Sequence, residues 1–204
     1  IGPSNTSAIF ASGIDENASP AAYKTNVEQW NGTSWTEIAD VNTARRSAGG
    51  FGTVTAGLIA AGGEPSVSAK VELWDGSSWT ETGDVTSGRD GVIGAGAVQT
   101  YGIIFGGSPN TGKTELWDGT SWTEEADIGT AHRQLAAAGT GSLALGAGGY
   151  DPGDPGRSTE TFEWNFDSTI AAGTWASGTA VNVGRKQAGS AGTSNSAAIF
   201  VGGQ

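Results

Sequence analysis

Nearly the same phrase recurs along this chain: Glu28-Gln-Trp30-Asn-Gly-Thr-Ser-Trp35-Thr-Glu37, Glu72-Leu-Trp74-Asp-Gly-Ser-Ser-Trp79-Thr-Glu81, Glu115-Leu-Trp117-Asp-Gly-Thr-Ser-Trp122-Thr-Glu124, and a degraded Glu160-Thr-Phe162 followed by Trp175. A period of about 44 residues belongs to architectures in which each unit buries its apolar face only by stacking on the next. Other landmarks keep the same phase. A Gly pair closes an apolar run at Gly62-Gly63, Gly106-Gly107, Gly148-Gly149 and Gly202-Gly203, with a weaker Ser12-Gly13, and an Arg follows the second Trp at Arg45, Arg89, Arg133 and Arg185.

The runs before the Gly pairs, such as Ala56-Gly-Leu-Ile-Ala-Ala61 and Tyr101-Gly-Ile-Ile-Phe105, are short and apolar. Glycine-bounded runs of this length read as strands buried on both faces. Asn31-Gly32, Asp75-Gly76 and Asp118-Gly119 predict two-residue type I′ hairpin turns. Each such turn lies between two tryptophans. Gly/Ala-rich segments after each Arg predict an inner strand where sheets crowd together. Each repeat thus reads as inner strand, Gly-pair strand and Trp hairpin, which is the four-stranded antiparallel blade of a β-propeller. We expect an all-β fold of about five blades, counting partial terminal ones. The chain, 1–204, is taken as one domain with repeats at roughly 1–40, 41–84, 85–127, 128–180 and a partial 181–204. The opening Ser4-Asn-Thr-Ser-Ala-Ile-Phe10 mirrors the closing Thr193-Ser-Asn-Ser-Ala-Ala-Ile-Phe200, so the chain begins and ends inside a repeat.

Composition narrows the function. With 21 acidic against 10 basic residues the net charge is −11, which repels phosphate backbones and makes nucleic acid an unexpected partner. Cysteine is absent, removing disulfides, thiolate nucleophiles and Cys-bound metals. No stretch approaches the ~20 apolar residues of a membrane-spanning helix, so membrane insertion is not expected. A chain that starts at Ile1 and contains no methionine reads as a processed product or an internal piece.

The Gly pair, the Glu before an aromatic, the Trp about five residues on and the Arg opening the next inner strand resemble the kelch repeat, in a compact form with Trp where Tyr is usual. The resemblance spans the whole chain. It implies a propeller, and it leaves function open, because propellers host unrelated activities. Kelch-like enzymes of the copper oxidase group use His and a modified Cys, whereas this chain has one histidine and no cysteine. The repeats also resemble those of phage and environmental-virus tail or fibre proteins. That resemblance implies a non-enzymatic binding or structural module of an extracellular or virion particle, recognising a surface glycan or protein, or other subunits of the particle. The alternative is a kelch-type protein-interaction module of a cellular protein.

Residues repeated in phase are expected to be structural: Trp30, Trp35, Trp74, Trp79, Trp117, Trp122 and Trp175 packing between blades, with Gly63, Gly107, Gly149 and Gly203 at the turns. The repeated Glu is expected to form a structural hydrogen bond or ion pair, because catalysis needs one convergent site rather than a group in every blade. Ligand-binding candidates lie where the repeat is irregular: Tyr150, Asp151, Asp154 and Arg157 in the fourth unit, and Asp15, Glu16 and Tyr23 on the first connector. Two carboxylates fall short of the six to eight oxygens of a Ca²⁺ site, and His132 alone cannot make a multi-His site. No metal and no cofactor are expected.

Overall fold

The computed structural model describes residues 1–204 except 3, 110, 111, 154, 155, 168, 171, 195 and 204. Five antiparallel sheets follow one another along the chain. The first holds β1 (Ala8–Asp15), β2 (Ala22–Trp30) and β3 (Trp35–Ile38). The second holds β4 (Gly49–Gly52), β5 (Gly57–Ala60), β8 (Val71–Trp74) and β9 (Trp79–Thr82), with a small hairpin of β6 (Gly63–Glu64) and β7 (Ser66–Val67) beside it. The third is β10 (Ile93–Val98), β11 (Tyr101–Phe105), β12 (Thr114–Trp117) and β13 (Trp122–Glu125). The fourth is β14 (Ala136–Gly139), β15 (Leu143–Ala147), β16 (Thr161–Asp167) and β17 (Ala172–Ser177), and the fifth pairs β18 (Gly189–Ser194) with β19 (Ala197–Val201). The innermost strands β4, β10, β14 and β18 pack on one another in turn, and this gives the blades of a β-propeller.

The tryptophans explain why neighbouring blades adhere. In each Trp hairpin the two rings are cross-strand partners, Trp74 opposite Trp79 and Trp117 opposite Trp122, with centroids 5.3 and 5.2 Å apart. The first Trp braces its own blade: Trp74 Nε1–H donates to the Val54 carbonyl (2.9 Å). The second reaches the preceding blade, where Trp79 Nε1–H donates to Ala39 O (3.0 Å) and Trp175 Nε1–H to Thr114 Oγ1 (2.9 Å). Trp74 and Trp79 share a core with Ile9, Val27 and Val41 of the first repeat, and Trp117 shares one with Phe51, Leu58 and Val71 of the second. Trp35 departs from the expected packing. Among the described residues no sheet precedes the first one on that face, and the ring is 51% exposed.

Three expectations need correction. The hairpin loop is not a two-residue type I′ turn. Trp74 pairs with Trp79, leaving a four-residue loop in which only Gly76 has positive φ (+96°) and the Asp75 N–H donates to Ser78 O. The Asp75 carboxylate orders that loop, accepting the N–H groups of Ser77 and Ser78, both at 2.8 Å, and Asn31 does the same for Thr33 and Ser34. Asp or Asn is therefore selected as a side-chain acceptor rather than for a left-handed backbone.

The second repeat's turn pair is Ala61-Gly62, not Gly62-Gly63. Ala61 (φ 61°) and Gly62 (φ 103°) match Gly106 (69°) and Gly107 (119°), while Gly63 has already entered β6. At Gly106 the requirement is also steric, since a Cβ would lie 2.6 Å from His132 O. The second residue of each pair donates its N–H to the next blade: Gly13 to Arg45 O, Gly62 to Arg89 O, Gly107 to His132 O and Gly149 to Arg185 O.

That series carries the third correction. The residue equivalent to Arg45, Arg89 and Arg185 is His132, not Arg133. The fourth hairpin is also registered two residues later than Glu160-Thr-Phe162 suggests. Trp164 pairs with Trp175 and donates Nε1–H to Gly141 O, as Trp74 does to Val54 O, so Phe162 stands where the other blades have Glu72 and Glu115.

The four-residue loop makes a prediction about acid. Hydrogen bonds from the Ser78 backbone, the Ser77 hydroxyl and the Ser77 backbone hold the Asp75 carboxyl down to about 2, and the Asp118 carboxyl is lowered by the backbone of Ser121 and Thr120. A depressed folded-state pKa contributes stability that is complete above the unfolded value and is lost as pH falls through the folded one. NMR titration is expected to find Asp75 ionised until about pH 2, and Asp75→Asn to keep the turn, as Asn31 does. Titration near the ordinary value of about 4 would show that the turn bonds are absent in solution.

Candidate functional site

Blade-to-blade latches set the frame. Glu72 is fully buried and accepts from Arg45 Nη2 (2.5 Å), Asn42 N (2.6 Å), Asn42 Nδ2 (2.9 Å) and Thr43 N (3.1 Å). Arg45 is also fully buried and spends its other donors on the carbonyls of Thr43, Ala61 and Lys70. The connector from the first blade is thus tied to the second by a satisfied ion pair. Glu115 repeats the arrangement with Arg89 Nη1 (2.5 Å) and Thr86 N (2.7 Å). Glu28 is exposed and, among the described residues, has no such partner.

Two residues after each latch position the chain turns at a left-handed residue: Ser47, Gly91, Gln134 or Gln187, with φ between 52° and 67°. These form a belt of main-chain hydrogen bonds from blade to blade, Gly91 N to Ser47 O (2.9 Å), Gln134 N to Gly91 O (2.7 Å) and Gln187 N to Gln134 O (3.0 Å). Between latch and belt stands one residue per blade: Arg46, Asp90, Arg133 and Lys186. All four are half-buried, and they line one end of the packed inner strands.

Two of the predicted ligand residues join this mouth. Tyr23 lies under the Arg46 guanidinium (5.9 Å to the ring centroid), and Arg46 reaches Asp90 at 3.8 Å. Tyr150 exchanges backbone hydrogen bonds with Arg133, whose guanidinium sits 4.5 Å above its ring, and Lys186 Nζ is 5.9 Å from the same ring. Three cations, one carboxylate and two aromatic rings therefore gather on a protein of net charge −11. The other candidates are peripheral. Asp15 forms an open ion pair with Lys24 (3.5 Å), and Glu16 and Arg157 are exposed. Asp154 lies outside the described residues. Asp151 is turned back towards the fourth blade, beside His132 and Glu160.

Sequence reasoning missed Arg46, Asp90 and Lys186, because residue type varies at that position and only its phase repeats. An open depression of about 400 Å³ lies elsewhere, along Phe10, Ile14, Asp15, Lys24 and Glu28. It is the flank of the first sheet whose counterpart in the second blade, with Ile59 and Trp74, packs on the blade before it, and here Phe10 is left exposed.

Fold and mouth together define a β-propeller with a polar, aromatic-lined end. No family model matches the chain, and no curated protein does. Among solved structures it is similar to YjhT, with a TM-score of 0.73 over 98% of this chain and 74% of that one, at 12% identity. The likeness establishes the propeller fold.

Proposed function

We propose that the chain is a non-enzymatic recognition module of an extracellular or virion assembly, of the tail- or fibre-like kind its repeats resemble, and that it binds a surface glycan at the mouth formed by Tyr23, Arg46, Asp90, Arg133, Tyr150 and Lys186. The observation that carries this reading is the convergence of stacked aromatic and charged planar groups at one end of the inner strands. Sugar rings present C–H faces to aromatics and hydroxyls to fixed charges, and the mouth supplies both kinds of surface. Excess cations favour glycans bearing carboxylate or phosphate. The rigid scaffold beneath supports binding with little ordering cost. No nucleic acid, membrane insertion or cofactor enters this proposal. Among the described residues no helix is long and apolar enough to cross a membrane.

Glycan-array screening is expected to give hits that Tyr150→Ala and Arg133→Ala abolish without lowering the melting temperature. An array with no hits, together with co-purification of one protein partner whose binding needs the same residues, would replace this reading with that of a protein-interaction module.

A further inference from the structure

The fourth blade lacks the Arg–Glu latch, and what stands in its place has the chemistry of a metal site. Phe162 has taken the Glu position and His132 the Arg position, and the two rings meet edge to face at 5.1 Å. His132 is fully buried. Its Nδ1 lies 3.0 Å from the Thr130 carbonyl, an atom that can only accept, so Nδ1 carries a proton. The same interaction two residues back anchors Arg45 on Thr43 O.

The other ring nitrogen, Nε2, is buried and has no hydrogen-bond partner. It lies 3.2 Å from Glu160 Oε2, off the line of a hydrogen bond. Asp151 supplies a second carboxylate, and the three ligand atoms lie within 4.8 Å of one another. In the second and third blades the Glu160 position is held by Lys70 and Lys113, as the matching bonds Ala61 N to Lys70 O, Gly106 N to Lys113 O and Gly148 N to Glu160 O show. A cation-bearing position has thus become anionic where the buried cation has become an imidazole.

We propose that His132 Nε2, Asp151 and Glu160 bind a divalent transition-metal ion of the zinc class. A neutral imidazole fixed by a carbonyl on Nδ1 is the usual state of a metal-ligating histidine. One nitrogen with two carboxylates suits Zn²⁺ or Co²⁺, whereas Mg²⁺ and Ca²⁺ prefer oxygen-only shells. Tetrahedral coordination at 2.0–2.1 Å places ligand atoms about 3.3 Å apart, so closure from separations of up to 4.8 Å asks for up to about 1.5 Å of approach. Glu160 is exposed and Asp151 half-buried, which leaves both side chains room to make it. Water completes the shell. Bound metal clips the loop starting at Tyr150 to the base of the fourth blade. This site is independent of the glycan reading.

Titration of the chelator-treated full chain with Zn²⁺ is expected to show one equivalent of binding by calorimetry and a rise in melting temperature, with Co²⁺ giving a visible d–d spectrum and Mg²⁺ and Ca²⁺ no effect. Asp151→Asn and Glu160→Gln, both at accessible side chains, are expected to weaken Zn²⁺ binding about 10-fold or more. His132→Gln is expected to abolish it. Absence of stoichiometric Zn²⁺ binding, or binding that neither carboxylate variant weakens, would overturn the site and leave a His132–Glu160 ion pair only.

Discussion

Replacing Glu72 with alanine is expected to destabilise the protein by about 3–5 kcal/mol, the cost of stranding one partner of a buried ion pair. Arg45 is fully buried and would keep its charge without the carboxylate that answers it, its bonds to the carbonyls of Thr43, Ala61 and Lys70 notwithstanding. Two backbone N–H groups, of Asn42 and Thr43, would lose their acceptor as well. Chemical denaturation of Glu72→Ala checks this. The double variant with Arg45→Met is expected to recover a substantial part of the loss, because no unpaired charge then remains. Recovery near zero would mean that Glu72 acts chiefly through the connector amides. The fourth blade is a natural version of this experiment: with Phe at the Glu position, Arg would be stranded, and His132 stands there instead.

Trp79→Ala is the second large effect, at about 3–5 kcal/mol, the range for truncating a buried aromatic. Trp79 is 6% exposed, stacks on Trp74 and donates to Ala39 O across the blade boundary. Trp35→Ala occupies the same place in its repeat but is expected to change stability by no more than about 0.5 kcal/mol, as surface substitutions do. Thermal unfolding of the two variants side by side tests the assignment of these rings to blade packing. Equal losses would show that Trp35 is covered in solution, and no loss at Trp79 would remove the packing role altogether.

Much of the fold was legible because its chemistry repeats. Trp pairs about 44 residues apart, with Gly pairs between them, leave few architectures other than a propeller, and the neighbouring structure agrees. That the repeated Glu is structural at Glu72 and Glu115 followed from the same repetition. The fourth unit was harder to read. Matching Glu160 to Glu115 preserves a residue name, whereas matching Trp164 to Trp117 preserves a ring that must cover a neighbouring turn, and packing chose the ring. That two-residue shift hid the joint change of Glu to Phe162 and Arg to His132, and with it the approach of Asp151 to a buried imidazole. The mouth was illegible for the opposite reason. Arg46, Asp90, Arg133 and Lys186 share a phase but neither one residue type nor one charge sign, so no motif marks them until the backbone places them together.

The belt through Ser47, Gly91, Gln134 and Gln187 joins the blades by main-chain atoms alone. Side chains one position earlier are consequently excused from holding the blades together. Arg46, Asp90, Arg133 and Lys186 can each be replaced without removing a main-chain bond of the belt, so the charge carried at the mouth is separable from the frame beneath it.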